Sequence, residues 1–350
     1  MEHTIDHAAR RRPVQEPATD TPTEAKHWQK VLAPYRKPLL GRALLELAVT
    51  VIPFAALWTA MLVSLSYSYW LSLVLAVPAA GFLVRLFMIQ HDCGHGSFFA
   101  RRNANDWLGR ALGVVTLTPF DYWRRQHAMH HATSGNLDRR GTGDIDMLTV
   151  REYESLPFWR RVQYRLVRHP VVVLGIGPTY VFVLKHRLPF GLMRAGRRPW
   201  ISVMGTNLAI AVVAAGLMAL VGWREFLLIQ APITLLASGI GVWLFYVQHQ
   251  FEETYWAHDP DWDSRTGALQ GSSHYDLPPV LRWLTANIGI HHVHHLSSRI
   301  PCYRLNEALR DHPELRNVSR LTLGQSIRCL PLALWDEERQ LLVSFGDARC

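Results

Sequence analysis

Charge is what this chain lacks over long distances. Ala43 to Leu65 carries one charged residue, Glu46, and Ser66 to Gln90 carries one, Arg85. Ile201 to Val221 and Phe226 to Gln248 carry none, with only "GWRE" between them. Each run reaches the ~20 residues that cross about 30 Å of hydrocarbon, so the pattern predicts four transmembrane helices arranged as two hairpins. Cysteine is also scarce. Cys93, Cys302, Cys329 and Cys350 form no C-x-x-C pair, which argues against a disulfide framework or a thiolate zinc site. No Walker or dinucleotide glycine pattern is present, and no fused electron-carrier module. The first 25 residues contain no apolar core of the kind a secretory signal needs and read as a disordered arm.

The arginines and lysines give an orientation. The hairpin tips, "SLSYSY" and "GWRE", hold a single Arg, while the formal net charge of the 350 residues is +9. The positive excess therefore lies with the N-terminus, the long middle loop and the C-terminal tail, the side expected to be cytoplasmic. The same asymmetry, with attraction to anionic headgroups, accounts for the high pI without nucleic acid as a partner. The arrangement expected is a membrane domain over residues 26–310 with a cap at 91–200 and 249–310, followed by a tail at 311–350.

Histidine is abundant and clustered. Of 18 in the chain, "HDCGH" supplies His91 and His95, "HAMHH" supplies His127, His130 and His131, and "HHVHH" supplies His291, His294 and His295. At i, i+3 and i+4 on a helix such residues share a face. A lone His249 closes the fourth apolar run as His91 follows the second. Packed imidazoles repel when protonated and cost desolvation when buried, and a shared cation removes both penalties. Nine ligands are too many for one ion and suit two, each with four or five imidazoles. Imidazole serves Zn, Cu, Fe and Ni alike, so ligand type alone does not choose the metal. His292 falls about 100° off its neighbours' face and reads as a supporting residue, as do Asp92, Asp138, Asp144 and Glu252, whose carboxylates can orient ring N–H groups. His274 is a further candidate, whereas His169, His186, His258 and His312 read as ordinary structural histidines.

A hydrolytic dimetal site normally has bridging carboxylates and a general base, and the clusters contain only Asp92, so oxidation and reduction fit better. A metal transporter would place histidines along a path within the spans, whereas these lie beyond the helix ends. Together "HDCGH", "HAMHH" with "ATSGNLDRRGTGD", "FYVQHQFEETYW", "GSSHYDLP" and "NIGIHHVHHLSSRIPCYRL" resemble the integral-membrane fatty acid desaturases, and within them the bacterial acyl-lipid group of the delta-12 or omega-6 kind. The resemblance runs from about Leu39 to Leu309. It implies a non-haem site with two iron ions, dioxygen as co-substrate, a lipid acyl chain as substrate, an external ferredoxin-like electron donor and a bacterial inner membrane. It also implies that the three boxes and His249 hold the iron. The family commonly has Tyr where His274 stands. Hydroxylases of lipids or hydrocarbons share the His pattern and are the alternative within enzymes. Basic residues Arg101, Arg102, Arg124 and Arg125 suit a headgroup phosphate or an acidic donor face, or act as plain positive-inside anchors.

All ligands must meet on one side of the membrane, which demands an even number of crossings between Gln90 and Asn287. The apolar run Val171 to Leu184 is 14 residues long and broken by Gly175, Gly177 and Pro178, below the ~17 that a spanning helix needs. It is expected to be interfacial or re-entrant.

Overall fold

The computed structural model describes residues 22–349 except 142 and 317. Residues 1–21 of the predicted arm lie outside the described residues; from Pro22 the chain is helical, to Val31. Four helices are long and apolar enough to cross a membrane: α1 (Leu40–Ser64), α2 (Tyr69–His95), then, after the middle of the chain, Arg197–Val221 and Trp223–His249. Between them come α3 (Arg102–Val115), α4 (Phe120–Thr133), α5 (Phe158–Val167) and α6 (Gly177–Val183), so the second long pair is α7 and α8.

At 1.5 Å per residue, the 27 residues of α2 and of α8 measure about 40 Å, some 10 Å more than the hydrocarbon thickness. The outer faces of the long helices remain apolar: on α7 Leu208 is 67% and Leu220 81% exposed, as expected for lipid contact and far from what a water-facing surface tolerates. The inner helix is α2, which packs on α1, α3 and α8. The two lone charges of the first hairpin meet there. Arg85 donates to the Glu46 carboxylate, to Thr50 Oγ1 at 3.0 Å and to the Trp283 carbonyl, with its guanidinium 4.1 Å above the Trp283 ring. Pairing offsets the cost of burying each charge at membrane depth and fastens the segment leading to the third His box onto the hairpin.

The run from Val171 to Leu184 does not form a straight spanning helix. The chain bends by 56° between α5 and the Val172–Arg187 stretch. A Cβ on Gly239 would lie 2.7 Å from the Leu174 carbonyl oxygen, so only glycine lets this segment approach α8 so closely. Thr179 Oγ1 lies 3.3 Å from Ser238 Oγ, eleven residues before His249, or about 16 Å along the helix. Arg187 then donates to the Leu117 carbonyl, and at 2.9 Å to Asn207 Oδ1. Leu117 joins α3 to α4, so these contacts tie the end of the segment to the loop before the second His box and to α7.

Two short helices complete the cap around the third box, α9 (His291–Leu296) and α10 (Cys302–Asp311). The fold is helical with small sheets at its rim. Strand β1 (Leu148–Thr149) pairs in parallel with β4 (Leu332–Asp336), which pairs antiparallel with β5 (Leu341–Ser344); β2 (His274–Asp276) pairs in parallel with β3 (Arg320–Thr322). The residues after 311, expected as a tail, are thus built into the cap. Tyr246 near the end of α8 donates to the Leu332 carbonyl at 2.8 Å, and Arg168 to the same oxygen at 2.8 Å.

Candidate metal centre

The nine histidines singled out in the sequence converge as two groups. His91, His95, His127, His131 and His294 form one; His130, His249, His291 and His295 form the other. In each group the ligand nitrogens, one per residue, all lie within 4.8 Å of one another. The helices α4 and α9 serve both groups. On a helix, i and i+4 differ by about 40° and i+3 falls some 60° to the other side. Accordingly His127 and His131 stay together while His130 joins the second group, and His291 and His295 stay together while His294 joins the first.

Contacts inside the groups run through Nε2. His95 to His127 is 3.0 Å, His127 to His131 3.1 Å and His131 to His294 3.1 Å; His249 to His291 is 3.0 Å and His291 to His295 3.1 Å. An imidazole nitrogen offers either one N–H or one lone pair. A chain of four such atoms has three contacts and at most two hydrogens in donor–acceptor order, so hydrogen bonding cannot satisfy it. Ligands 90° apart with bonds of about 2.1 Å are separated by about 3.0 Å, which is the spacing seen. His130 makes the same point: its Nδ1 is bonded to Asp144 and its buried Nε2 has no partner. Burial first, and then the neighbouring imidazoles, hold His127, His131, His291, His294 and His295 well below the ordinary imidazole range. Each ring is therefore neutral with a lone pair available, the form a metal takes.

Neighbouring groups fix the rings. Trp123 stacks on His127 at 4.7 Å between centroids and 13° between planes, and Phe245 meets His130 and His249 edge-on at 5.1 and 5.2 Å. His249 Nδ1 donates to the Gly271 carbonyl at 3.0 Å. Gly143 delivers Asp144 to His130. With φ at +79° and a virtual Cβ 3.1 Å from the Gln126 carbonyl oxygen and 3.3 Å from His130 Cβ, this position needs glycine. Asp92 Oδ1 lies 3.4 Å from His91 Nδ1, and its Oδ2 accepts the Cys302 N–H at 2.6 Å, tying the first box to the start of α10.

Other supporting candidates lie elsewhere. Asp138 accepts from His258 Nδ1 and from the Asp259 N–H, each at 2.8 Å, rather than from an imidazole of either group. The loop containing it turns outward before Gly143. Glu252 is exposed, and its carbonyl accepts the Leu342 N–H at 2.9 Å. His292 donates from Nε2 to the Leu315 carbonyl at 2.8 Å and belongs to neither group. His274 lies behind it, 5.7 Å between ring centroids, and belongs to neither group. Spacing alone did not reveal Trp123, although it precedes His127 by one helical turn; the Gly271 carbonyl has no side-chain signal to find.

Residues 68–323 match the family model described as fatty acid desaturase. The chain belongs to the fatty acid desaturase family. It is 47% identical over 320 residues to a fatty acid desaturase of Bacillus subtilis, covering 91% of this chain and 90% of that one. It is 28% identical over 235 residues to an sn-1 oleoyl-lipid 12-desaturase of Synechocystis, covering 65% and 64%. A similar 28% over 239 residues holds for an sn-1 acyl-lipid omega-3 desaturase (ferredoxin) of the same strain, covering 64% and 62%. With these last two the chain spans just under two thirds of the relative's length. As a member of the family it is an oxygen-dependent membrane oxidoreductase that desaturates fatty acyl chains, and its four apolar helices with histidines gathered at their ends suit that work.

Proposed function

We propose that this desaturase holds two iron ions, one on His91, His95, His127, His131 and His294 and one on His130, His249, His291 and His295. It inserts a cis double bond into an acyl chain of a membrane lipid. The iron, when bound, supplies dioxygen activation for removal of two hydrogens from adjacent methylenes. The balance is one dioxygen, two electrons and two protons in, and one double bond and two waters out. The observation that carries the reading is the division of nine imidazoles into two ligand-sized groups at the ends of spanning helices.

The protein's own part is positioning. Neutral ligands leave the metal charge largely uncompensated, which favours a strong oxidant. Trp123 and Phe245 keep imidazole faces away from water, and the spans bring the chain to the site from the lipid, where a misplacement of ~1 Å costs ~100-fold. We assign the site to the cytoplasmic face of a bacterial inner membrane on the distribution of Lys and Arg. A ferredoxin-like donor is supported by exposed Arg101 and Arg125, which make no ion pair among the described residues, whereas Arg124 is bound to Asp106 and Asp121, and Arg102 lies 3.9 Å from Asp106. One relative's name includes a ferredoxin.

The test is expression in a host without polyunsaturated lipids, with mass spectrometry of the fatty acid methyl esters. Loss of two hydrogens is expected, and the fragment pattern gives the bond position; gain of one oxygen identifies a hydroxylase instead. Active purified protein without iron overturns the metal assignment.

A further inference from the structure

Beside the four-imidazole group, between the loop after α4 and the chain leaving α8, lies a small cavity with polar groups in its wall. Its volume is about 10 Å3, and Asp144, Phe245, His249, Thr254, Trp256 and Gly271 line it with others. That is room for about one water molecule. Three of its lining residues carry buried polar atoms without a hydrogen-bond partner: Asp144 Oδ2, Thr254 Oγ1 and Trp256 Nε1. Thr254 and Trp256 are each 5% exposed, and the Asp144 side chain 7%.

The three atoms are chemically complementary to one guest. A carboxylate oxygen accepts, an indole N–H only donates, and a hydroxyl does either. Buried polar groups are seldom left unpaired. A single water accepts from Trp256, donates to Asp144 and exchanges its remaining bond with Thr254. That makes three bonds, the usual number for a buried water. An apolar guest leaves all three atoms unpaired.

We infer that this cavity binds one ordered water, and that Thr254 and Trp256 are positioning residues acting through it on Asp144. The inference rests on the proposed ligand set. Asp144 uses its other oxygen to hold His130 Nδ1, and the direction of His130 Nε2 follows the tilt of that carboxylate. Gly143 sets where the Asp144 backbone lies; the water sets how its head is turned. Partners of this outer kind typically govern metal affinity 10- to 100-fold.

The experiment uses purified full-length protein in detergent, loaded with iron, and reads iron stoichiometry and release to an Fe(II) chelator. Thr254→Val removes the hydroxyl at nearly constant shape, Trp256→Phe removes the N–H, and Thr254→Ser keeps the hydroxyl. Both removals should make one iron of the two leave about 10- to 100-fold faster, with the other unchanged and Thr254→Ser close to wild type. Because both act through one water, the double variant should release iron no faster than the worse single variant. Wild-type release of both irons in Thr254→Val and Trp256→Phe overturns the inference, as does full additivity. If Trp256→Phe does not fold, Thr254→Val against Thr254→Ser decides. Wild-type protein that binds no iron contradicts the ligand set instead, so the two failures are distinct.

Discussion

The five-imidazole and four-imidazole groups share α4 and α9 yet are held in place differently. Two of the five, His91 and His95, stand on α2, the most buried of the spanning helices, and His127 lies flat under Trp123. Helix backbone and packing aim these rings, and the carboxylate of Asp92 lies 3.4 Å from His91. In the other group His130 leans on Asp144 and His249 on the Gly271 carbonyl, both supplied by loops. One group is therefore as rigid as the bundle, while the other is only as well placed as the loops around it. The second also has one imidazole fewer, which leaves more room for a reactant.

The most severe way to test this contrast is to delete a ligand from each side. His131 lies between His127 and His294, with Nε2 contacts of 3.1 Å to both. Outer partners alone cost 10- to 100-fold, so His131→Ala should lower desaturation by more than ~100-fold. His249→Ala should be as damaging to turnover yet leave about one iron per chain on the intact five-imidazole group. Metal analysis alongside product analysis checks both, and a fully active His249→Ala protein with two irons removes the second site.

A milder change should separate the two groups. Asp144→Asn keeps the shape but removes the negative charge that holds the His130 N–H, so iron on the four-imidazole side should bind ~10- to 100-fold more weakly. The five-imidazole side should not respond. Equal loss from both sides would mean that the loop supports the whole centre. Smaller still is Gly143→Ala, where the left-handed backbone and the close Gln126 carbonyl should cost about 1 kcal/mol of stability. Thermal unfolding measures it, and a neutral result would mean that the loop relaxes without disturbing Asp144.

Much of this was legible because the signals are local. Apolar runs marked the long helices to within a few residues, and the i, i+3, i+4 spacing picked eight of the nine histidines found in the two groups, His249 being marked by its place at the end of the fourth run. The same spacing contains the division between groups, since the i+3 member always crosses to the other side. What could not be read depends on contacts far apart in sequence. Asp138 and Asp144 occur in one polar loop with similar neighbours, and positive φ at Gly141 and Gly143 lies between the one that bonds His258 and the one that bonds His130. The strand Leu332–Asp336 finds its partner at Leu148–Thr149, well over a hundred residues earlier, so a segment that reads as a polar tail is part of the cap. Glu46 and Arg85 were visible as solitary charges in separate runs, but their pairing needed the helices placed.

The last and smallest effect concerns the outer rim of the loop-held side. His258, half exposed, bonds through Nδ1 to Asp138 at 2.8 Å and approaches Glu337 at 3.4 Å, linking the loop after α4 to the turn between β4 and β5. The hydrogen bond to Asp138, and then that to Glu337, raise its pKa above the ordinary imidazole value. A pKa raised by folding adds stability that is fully present below about pH 6.5 and is lost as pH climbs through the raised value. Asp138 has its own pKa lowered, first by the Asp259 N–H and then by His258, so its contribution disappears only under acid conditions, below about pH 4. Wild-type protein should therefore lose a small increment of thermal stability between mildly acidic and mildly alkaline pH that His258→Gln does not lose. The increment is small because exposed pairs are screened by solvent. Unfolding curves of the two proteins at pH 5.5 and 8.5 measure the difference directly. If the two shift in parallel, this contact does not hold the loop, and the support of Asp144 comes from Gly143 and the cavity behind it.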